Sequence, residues 1–100
     1  MSHDDTTRTL ADLMGVLADP TRLRIVLHLA TGPMIVGQLV SAMDLQQPTV
    51  SHHLMRLRVH GLVQQQRQGK TVLYSLGPTV RARARSIVFG VGKQTVAIGY

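Results

Sequence analysis

Eight side chains beyond residue 45 carry groups suited to reading a polyanion. Gln47, Thr49, Ser51, His52, His53 and Arg56 fall within ten residues, and Arg67 and Lys70 follow a short way on. Glutamine can pair bidentately with adenine and arginine with guanine. Serine and threonine hydroxyls can meet several bases or a phosphate. Two cations at the tip of a hairpin suit a sugar-phosphate backbone or a minor groove.

Catalytic readings of the same residues fail on geometry. Ser51-His52-His53 is no triad, because neighbours on one helix do not converge on a reacting atom. The acids are all aspartates and form no plausible acid/base pair, and no glycine loop cradles a phosphate. An enzyme is not expected. There is no cysteine, which excludes disulfides and thiolate metal sites. His52 and His53 are adjacent and point about 100° apart on a helix. No three of the five histidines promise a metal site, and no cofactor is expected. His3, beside Asp4 and Asp5, is the one place where a divalent ion could be chelated.

Charge supports a polyanionic partner. The chain carries a net +6 and a sequence pI of about 11.2. Residues 1–44 hold Asp4, Asp5, Asp12, Asp19 and Asp44 against Arg8, Arg22 and Arg24. Residues 45–100 hold eight cations and no acid: Arg56, Arg58, Arg67, Lys70, Arg81, Arg83, Arg85 and Lys93. The mixture of Glu and Lys common on a solvated helix face is missing there.

These residues need a scaffold, and the 100-residue chain has room for one domain, 1–100. Residues 1–5 are expected to be disordered. Leu10, Leu13, Met14 and Leu17 form a helical stripe over 6–18. Asp19-Pro20 starts a second helix, with Asp19 as cap and Pro20 in the first turn. That helix is apolar nearly all round, and Gly32-Pro33 ends it. A third helix covers 35–43, with Val36, Leu39, Val40 and Met43 inward. After Asp44-Leu45-Gln46 a fourth runs from Gln47 to His60, with Val50, Leu54 and Leu57 inward and Gly61 as its stop. Its outward face holds Gln47, Thr49, Ser51, His52, Met55 and Arg56, with His53 at the margin.

Residues 62–67 and 71–76 then read as two strands joined at Gln68-Gly69-Lys70. A last helix is expected over 78–95, carrying Val80, Ala84, Ile87, Val88 and Val91. The fold class is therefore mainly α with a small β-hairpin, in the order helix-helix-helix-helix-hairpin-helix. A helix-turn-helix at 35–60 followed by a wing at 62–76 makes a winged helix-turn-helix.

The motifs also carry a family resemblance. Leu17-Ala18-Asp19-Pro20-Thr21-Arg22-Leu23-Arg24-Ile25 resembles the opening signature of the ArsR/SmtB family of winged-helix repressors. So does Gln47-Pro48-Thr49-Val50-Ser51-His52-His53-Leu54, with Leu57 and Gly61-Leu62-Val63 after it. Gln68-Gly69-Lys70 and Tyr74-Ser75-Leu76 are similar to the family's wing. The resemblance spans residues 10 to about 78.

It implies a homodimer joined through the first and last helices, with Leu10, Leu13, Met14, Leu17, Val80, Ala84, Ile87, Val88 and Val91 at the joint. Two reading helices would then meet a near-palindromic operator in double-stranded DNA, with half-sites about one turn apart. There are departures. Gln46 stands where most members have serine, and His52 where many have arginine. The family's Cys-Val-Cys motif is replaced by Ile35-Val36-Gly37. The Asp and His pairs expected on the last helix are replaced by Arg81, Arg83 and Arg85 and their apolar neighbours. The family's metal-binding motifs are thus absent, and the effector is unknown. The three arginines fit either a solvated face or an extra phosphate or anion contact.

The expected function is sequence-specific transcriptional regulation, most simply repression. Two alternatives stay open: a winged-helix protein-interaction module, or a protein that coats DNA regardless of sequence. No apolar run reaches the length of a membrane span, and MSHDDTTRTL lacks the pattern of a signal peptide. A cytoplasmic location and no membrane partner are expected.

Overall fold

The computed structural model describes residues 3–100, so Met1 and Ser2 of the expected disordered segment lie outside it. The elements in chain order are α1 (His3–Leu17), α2 (Pro20–Leu29), β1 (Met34–Ile35), α3 (Val36–Met43), α4 (Gln47–Val59), β2 (Val63–Gln68), β3 (Thr71–Leu76), β4 (Val80–Arg83), β5 (Ser86–Val91) and β6 (Gln94–Gly99). Residues 3–5 are helical, which corrects their assignment to a disordered tail. Thr9 Oγ1 donates to the Asp5 carbonyl at 2.8 Å within this first turn.

Asp19 caps α2 as its type predicts. Its carboxylate accepts from the Arg22 backbone N–H at 3.0 Å, and Pro20 occupies the first turn. That hydrogen bond favours the ionised form and holds Asp19 below the ordinary carboxylate range; partial desolvation opposes it and nearby His53 assists it. A depressed acid stabilises the fold above its unfolded value and ceases to do so as pH falls through its folded one. Asp19→Ala should therefore cost about 1 kcal/mol at neutral pH. In denaturant titrations the gap from wild type should close below the carboxylate range. Asp19→Asn, which keeps a capping oxygen, should lose the pH dependence and little else. A gap that does not change with pH would show that the charge on Asp19 is irrelevant to the cap.

Two arginines of the first half are spent on helix ends. Arg22 Nε donates to the Val16 carbonyl at 2.7 Å, and Arg24 reaches the Met43 carbonyl at 3.5 Å. Each satisfies a carbonyl that its own helix leaves open. At the start of α3 the Gln38 side chain accepts from the Ile35 N–H at 2.9 Å. Asp44 ends that helix in the left-handed region, at φ 53°. Aspartate tolerates this conformation better than most residues, and it turns the chain sharply into α4.

The end of α4 is a Schellman turn. The Gly61 N–H bonds to the Arg58 carbonyl and the Leu62 N–H to the Leu57 carbonyl, both at 3.0 Å. Gly61 takes φ 73°, a conformation that glycine supplies without steric cost. Leu57 and Leu62, which the motif brings together, are both buried.

Two antiparallel three-stranded sheets complete the chain, in the orders β1-β3-β2 and β4-β5-β6. In the first, Gln68 pairs with Thr71 across Gly69-Lys70. Gly69 has φ 62° at the first turn position, which suits a type II′ turn. The strands run 63–68 and 71–76, within a residue of the expected hairpin.

The second sheet corrects the expected helix over 78–95. Residues 80–99 form three strands. The physical reason is a competing period. Val80, Ala82, Ile87, Phe89, Val91, Val96 and Ile98 alternate, and the register sets Val80 opposite Phe89, Phe89 opposite Val96 and Ile87 opposite Ile98. One face of this sheet therefore buries Val80, Ile87, Phe89 and Val91 against the helical unit. The segment is rich in β-branched residues, and Gly90 and Gly92 would each cost a helix about 1 kcal/mol. Gly92 instead serves the Gly92-Lys93 turn, at φ 58°.

The core runs unbroken from the helices into this sheet. Ile25, Val26, Leu39, Val50, Leu54, Leu57, Ile87 and Phe89 are at most 1% exposed, so both parts share one apolar interior. Val16 lies inward on α1 and Met14 is 54% exposed, which reverses the expected place of Met14 in the stripe. Among the described residues, no helix is long and apolar enough to cross a membrane.

Candidate nucleic-acid interface

The helix α4 is held by its inner stripe. Val50, Leu54 and Leu57 are buried to within 1%, each side chain contributing about 1.5–3 kcal/mol of apolar burial. That stripe determines the opposite face by elimination. Gln47, Thr49, Ser51, His52, Met55 and Arg56 are all exposed there, with Arg58 and Val59 beyond. Six residues of the expected reading face thus share one side of one helix.

His53 does not stand with them. It is half-buried, and its Nδ1 is buried with no hydrogen-bond partner among the described residues. It lies near enough to Asp19, at the start of α2, to act on that carboxylate. The ring meets that of His52 edge-on, with centroids 5.5 Å apart and planes at 66°. His53 therefore lies at the seam between α4 and α2, and only the margin of the reading face reaches it.

The first turn of α4 is open. Gln46 occupies the cap position without a side-chain hydrogen bond, and Pro48 follows in the first turn. Pro48 has no N–H and the Val50 N–H bonds to the Gln46 carbonyl at 3.1 Å, which leaves the N–H groups of Gln47 and Thr49 without a partner inside the helix; helix starts of this kind favour anions.

The wing completes the surface. Arg67 and Lys70 are exposed, Lys70 at the hairpin tip. A cleft of about 340 Å³ joins the two elements, lined by Gln47 and Ser51 of α4, Lys70, Thr71 and Tyr74 of the wing, and Gly37 at the start of α3. Polar side chains of α4 and the wing thus converge on one concavity, with Lys70 supplying the positive charge and Ile35, Val36 and Val72 forming apolar wall.

Sequence reasoning missed part of the wing. Every residue of β2 after Val63 is exposed, so Gln64, Gln65 and Gln66 line an open strand edge beside Arg67. The signal was there: five polar residues in a row cannot alternate in and out of a core. Successive side chains of a strand point to opposite faces, so Gln64 and Gln66 share one face of the wing and Gln65 takes the other.

Arg81 and Arg83 lie on the solvent side of β4 and Arg85 in the following turn, all exposed. They lie on a strand and turn, which replaces the helix face expected for them. Of the residues expected to join two copies, Leu13, Leu17, Val80, Ile87 and Val91 are buried within the chain itself. Leu10 and Val88 are half-buried, while Met14 and Ala84 are exposed. The expected joint through two helices therefore retains only α1. Among the described residues no three His, Asp or Glu come together as a metal site. The side chain of His3 lies outside what the structure describes.

Known proteins share this arrangement. The model of bacterial regulatory proteins of the arsR family matches residues 19–65, from the cap of α2 into β2. The arsenical resistance operon repressor of Escherichia coli K12 is 46% identical over 77 residues, which is 76% of this chain and 66% of that protein. The chain thus spans just under two thirds of that relative's length. The biofilm growth-associated repressor of Agrobacterium fabrum is 35% identical over 82 residues, covering 82% of this chain and 70% of its own. Among solved structures, a homodimeric winged helix-turn-helix DNA-binding domain from Mycobacterium bovis superposes with a TM-score of 0.67 at 28% identity. That match covers 76% of this chain and 72% of the other.

Proposed function

This chain belongs to the arsR family of bacterial regulatory proteins, and from that premise we propose that it is a homodimeric transcriptional repressor reading a near-palindromic operator. The relatives named above are regulators, and none is an enzyme. The observation that carries the reading is the pairing of the exposed α4 face with the wing tip across one cleft, into which Gln47, Ser51 and Lys70 all reach. A helix of this width fits the major groove, and its N-terminal turns reach base edges. Gln47, Thr49, Ser51, His52 and Arg56 are then the base-reading set. Arg67 and Lys70 take the backbone or the adjacent minor groove.

Two copies would bring two such helices to successive turns of DNA. The homodimeric relative from M. bovis supports that assembly, and the exposed Met14 of α1 is available to it. The protein would act in the cytoplasm, where its DNA lies.

The test is a footprint over the chain's own promoter region, followed by titration of the protected sequence. Arg56→Ala and Thr49→Ala should each weaken specific binding by about 1–3 kcal/mol and relax the preference for particular bases. Lys70→Ala should weaken all sequences alike and lower the salt slope by about one charge. Wild-type footprints from all three variants would displace the reading face from α4. Binding that collapses with salt and ignores sequence would mark a DNA-coating protein. No binding at low salt would mark a protein-interaction module.

A further inference from the structure

Behind the reading helix, where the helical unit meets the C-terminal sheet, lies a cavity of about 300 Å³. Its floor is apolar: Leu13 of α1, Leu62 after α4 and Phe89 of β5 are all buried. Its rim is polar. Asp12 of α1 and His60 at the end of α4 both line it and are both exposed. Thr9 lines it too, but its hydroxyl is already engaged with the Asp5 carbonyl.

The chemistry of the rim selects a ligand. No ion pair or hydrogen bond engages the Asp12 carboxylate among the described residues, and Arg8, one turn before, makes none with it. An unpaired carboxylate beside an apolar floor favours a cation with an apolar body. A metal ion is disfavoured, since Asp12 and His60 fall short of the three or four donors it needs. The geometry points to an effector site for a small organic cation, its ammonium on Asp12 and its hydrocarbon body over Leu13, Leu62 and Phe89.

The position of the cavity gives the ligand leverage. His60 caps α4, and the Leu62 N–H closes the turn that ends it. A ligand bridging Asp12 of α1 to these residues ties the end of the reading helix to α1 and β5. It shifts DNA affinity by as much as its preference for one setting of α4 over the other. This effector role rests on the repressor reading above, whereas the site itself does not.

The experiment uses the whole chain and three probes: phenethylammonium, neutral 2-phenylethanol and anionic 3-phenylpropanoate. Binding is followed first without DNA, by calorimetry and by amide shifts at Leu62 and Phe89. Phenethylammonium should saturate, with the other two weaker by about tenfold or more. Asp12→Asn, an exposed and volume-conserving change, should bring ammonium and alcohol to equal affinity. Thr9→Trp should obstruct the mouth and weaken all three. Phenethylammonium should then move the midpoint of DNA binding by about fivefold or more, and do so less in Asp12→Asn. Equal binding of the three probes, or ammonium binding indifferent to Asp12→Asn, overturns the site. Asp12-dependent binding with an unmoved DNA midpoint overturns the effector role. Asp12-dependent binding by a chain that binds no DNA upholds the site and removes the repressor reading alone.

Discussion

Gly77→Ala should destabilise the chain by about 3 kcal/mol or more, placing it among the largest single-residue effects. A Cβ at this position would lie 1.9 Å from the Gly61 carbonyl oxygen and 2.9 Å from its carbonyl carbon. Backbone atoms cannot yield as a flexible side chain can. Gly77 is also tied in place: its N–H donates to the Leu62 carbonyl at 2.9 Å, and its own carbonyl accepts from Val80 at 3.0 Å. Relief therefore requires moving either the link between the two sheets or the turn that ends α4. Gly37→Ala is the counter-experiment. Gly37 is an exposed helical residue with nothing within 4 Å of a new Cβ, so alanine there should stabilise by about 0.5–1 kcal/mol. The same chemical change thus has opposite signs at two sites. Chemical denaturation of both variants checks it. A Gly77→Ala midpoint equal to wild type would show that the chain does not pass so close to Gly61.

Phe89→Ala should cost about 3–5 kcal/mol, the range for removing a buried aromatic ring. Phe89 is 1% exposed and lies in the middle strand of the C-terminal sheet, opposite both Val80 and Val96. Val88→Ala should cost far less, about 1 kcal/mol, because Val88 is half-buried on the other face of the same strand. The pair is diagnostic. On a helix through this segment, Val88 would share the inner stripe with Val80, Ala84, Ile87 and Val91, and Phe89 would face away. The strand reverses the ranking. Equal losses, or a larger loss at Val88, would overturn the β assignment.

The correction of the last helix to a sheet has one cause. Residues 80–91 satisfy a helical period and a strand period together, and local pattern alone cannot choose between them. The choice falls to partners distant along the chain. Phe89 and Ile87 need Val96, Ile98 and the helical unit to bury them, and only the β arrangement presents them on one face. The two glycines and the β-branched residues weighed in the same direction, and that signal was legible in composition. The same reasoning covers Met14 and Val16 on α1. Both fit a helical stripe, and the position of α2 and β5 decided which one turns inward.

His53 shows the limit at the site itself. Its type and place on α4 make it eligible for the reading face. Its half-burial depends on α2 crossing α4 near Asp19, a contact between residues 34 positions apart. The polar β2 edge was overlooked for the opposite reason: its exposure was plain in five consecutive polar residues, but its place beside Lys70 follows from the hairpin register.

By itself the sequence determined α2, α3, α4 and the wing, because caps, breakers and apolar periods there all agree and act over a few residues. It determined the exposed face of α4 for the same reason: three buried positions on one helix leave the others outside. Only the tertiary structure decided the C-terminal sheet, the inward turn of His53 and the cavity behind α4. Each of these depends on which distant surface is available to cover an apolar group, and that is a property of the assembled chain.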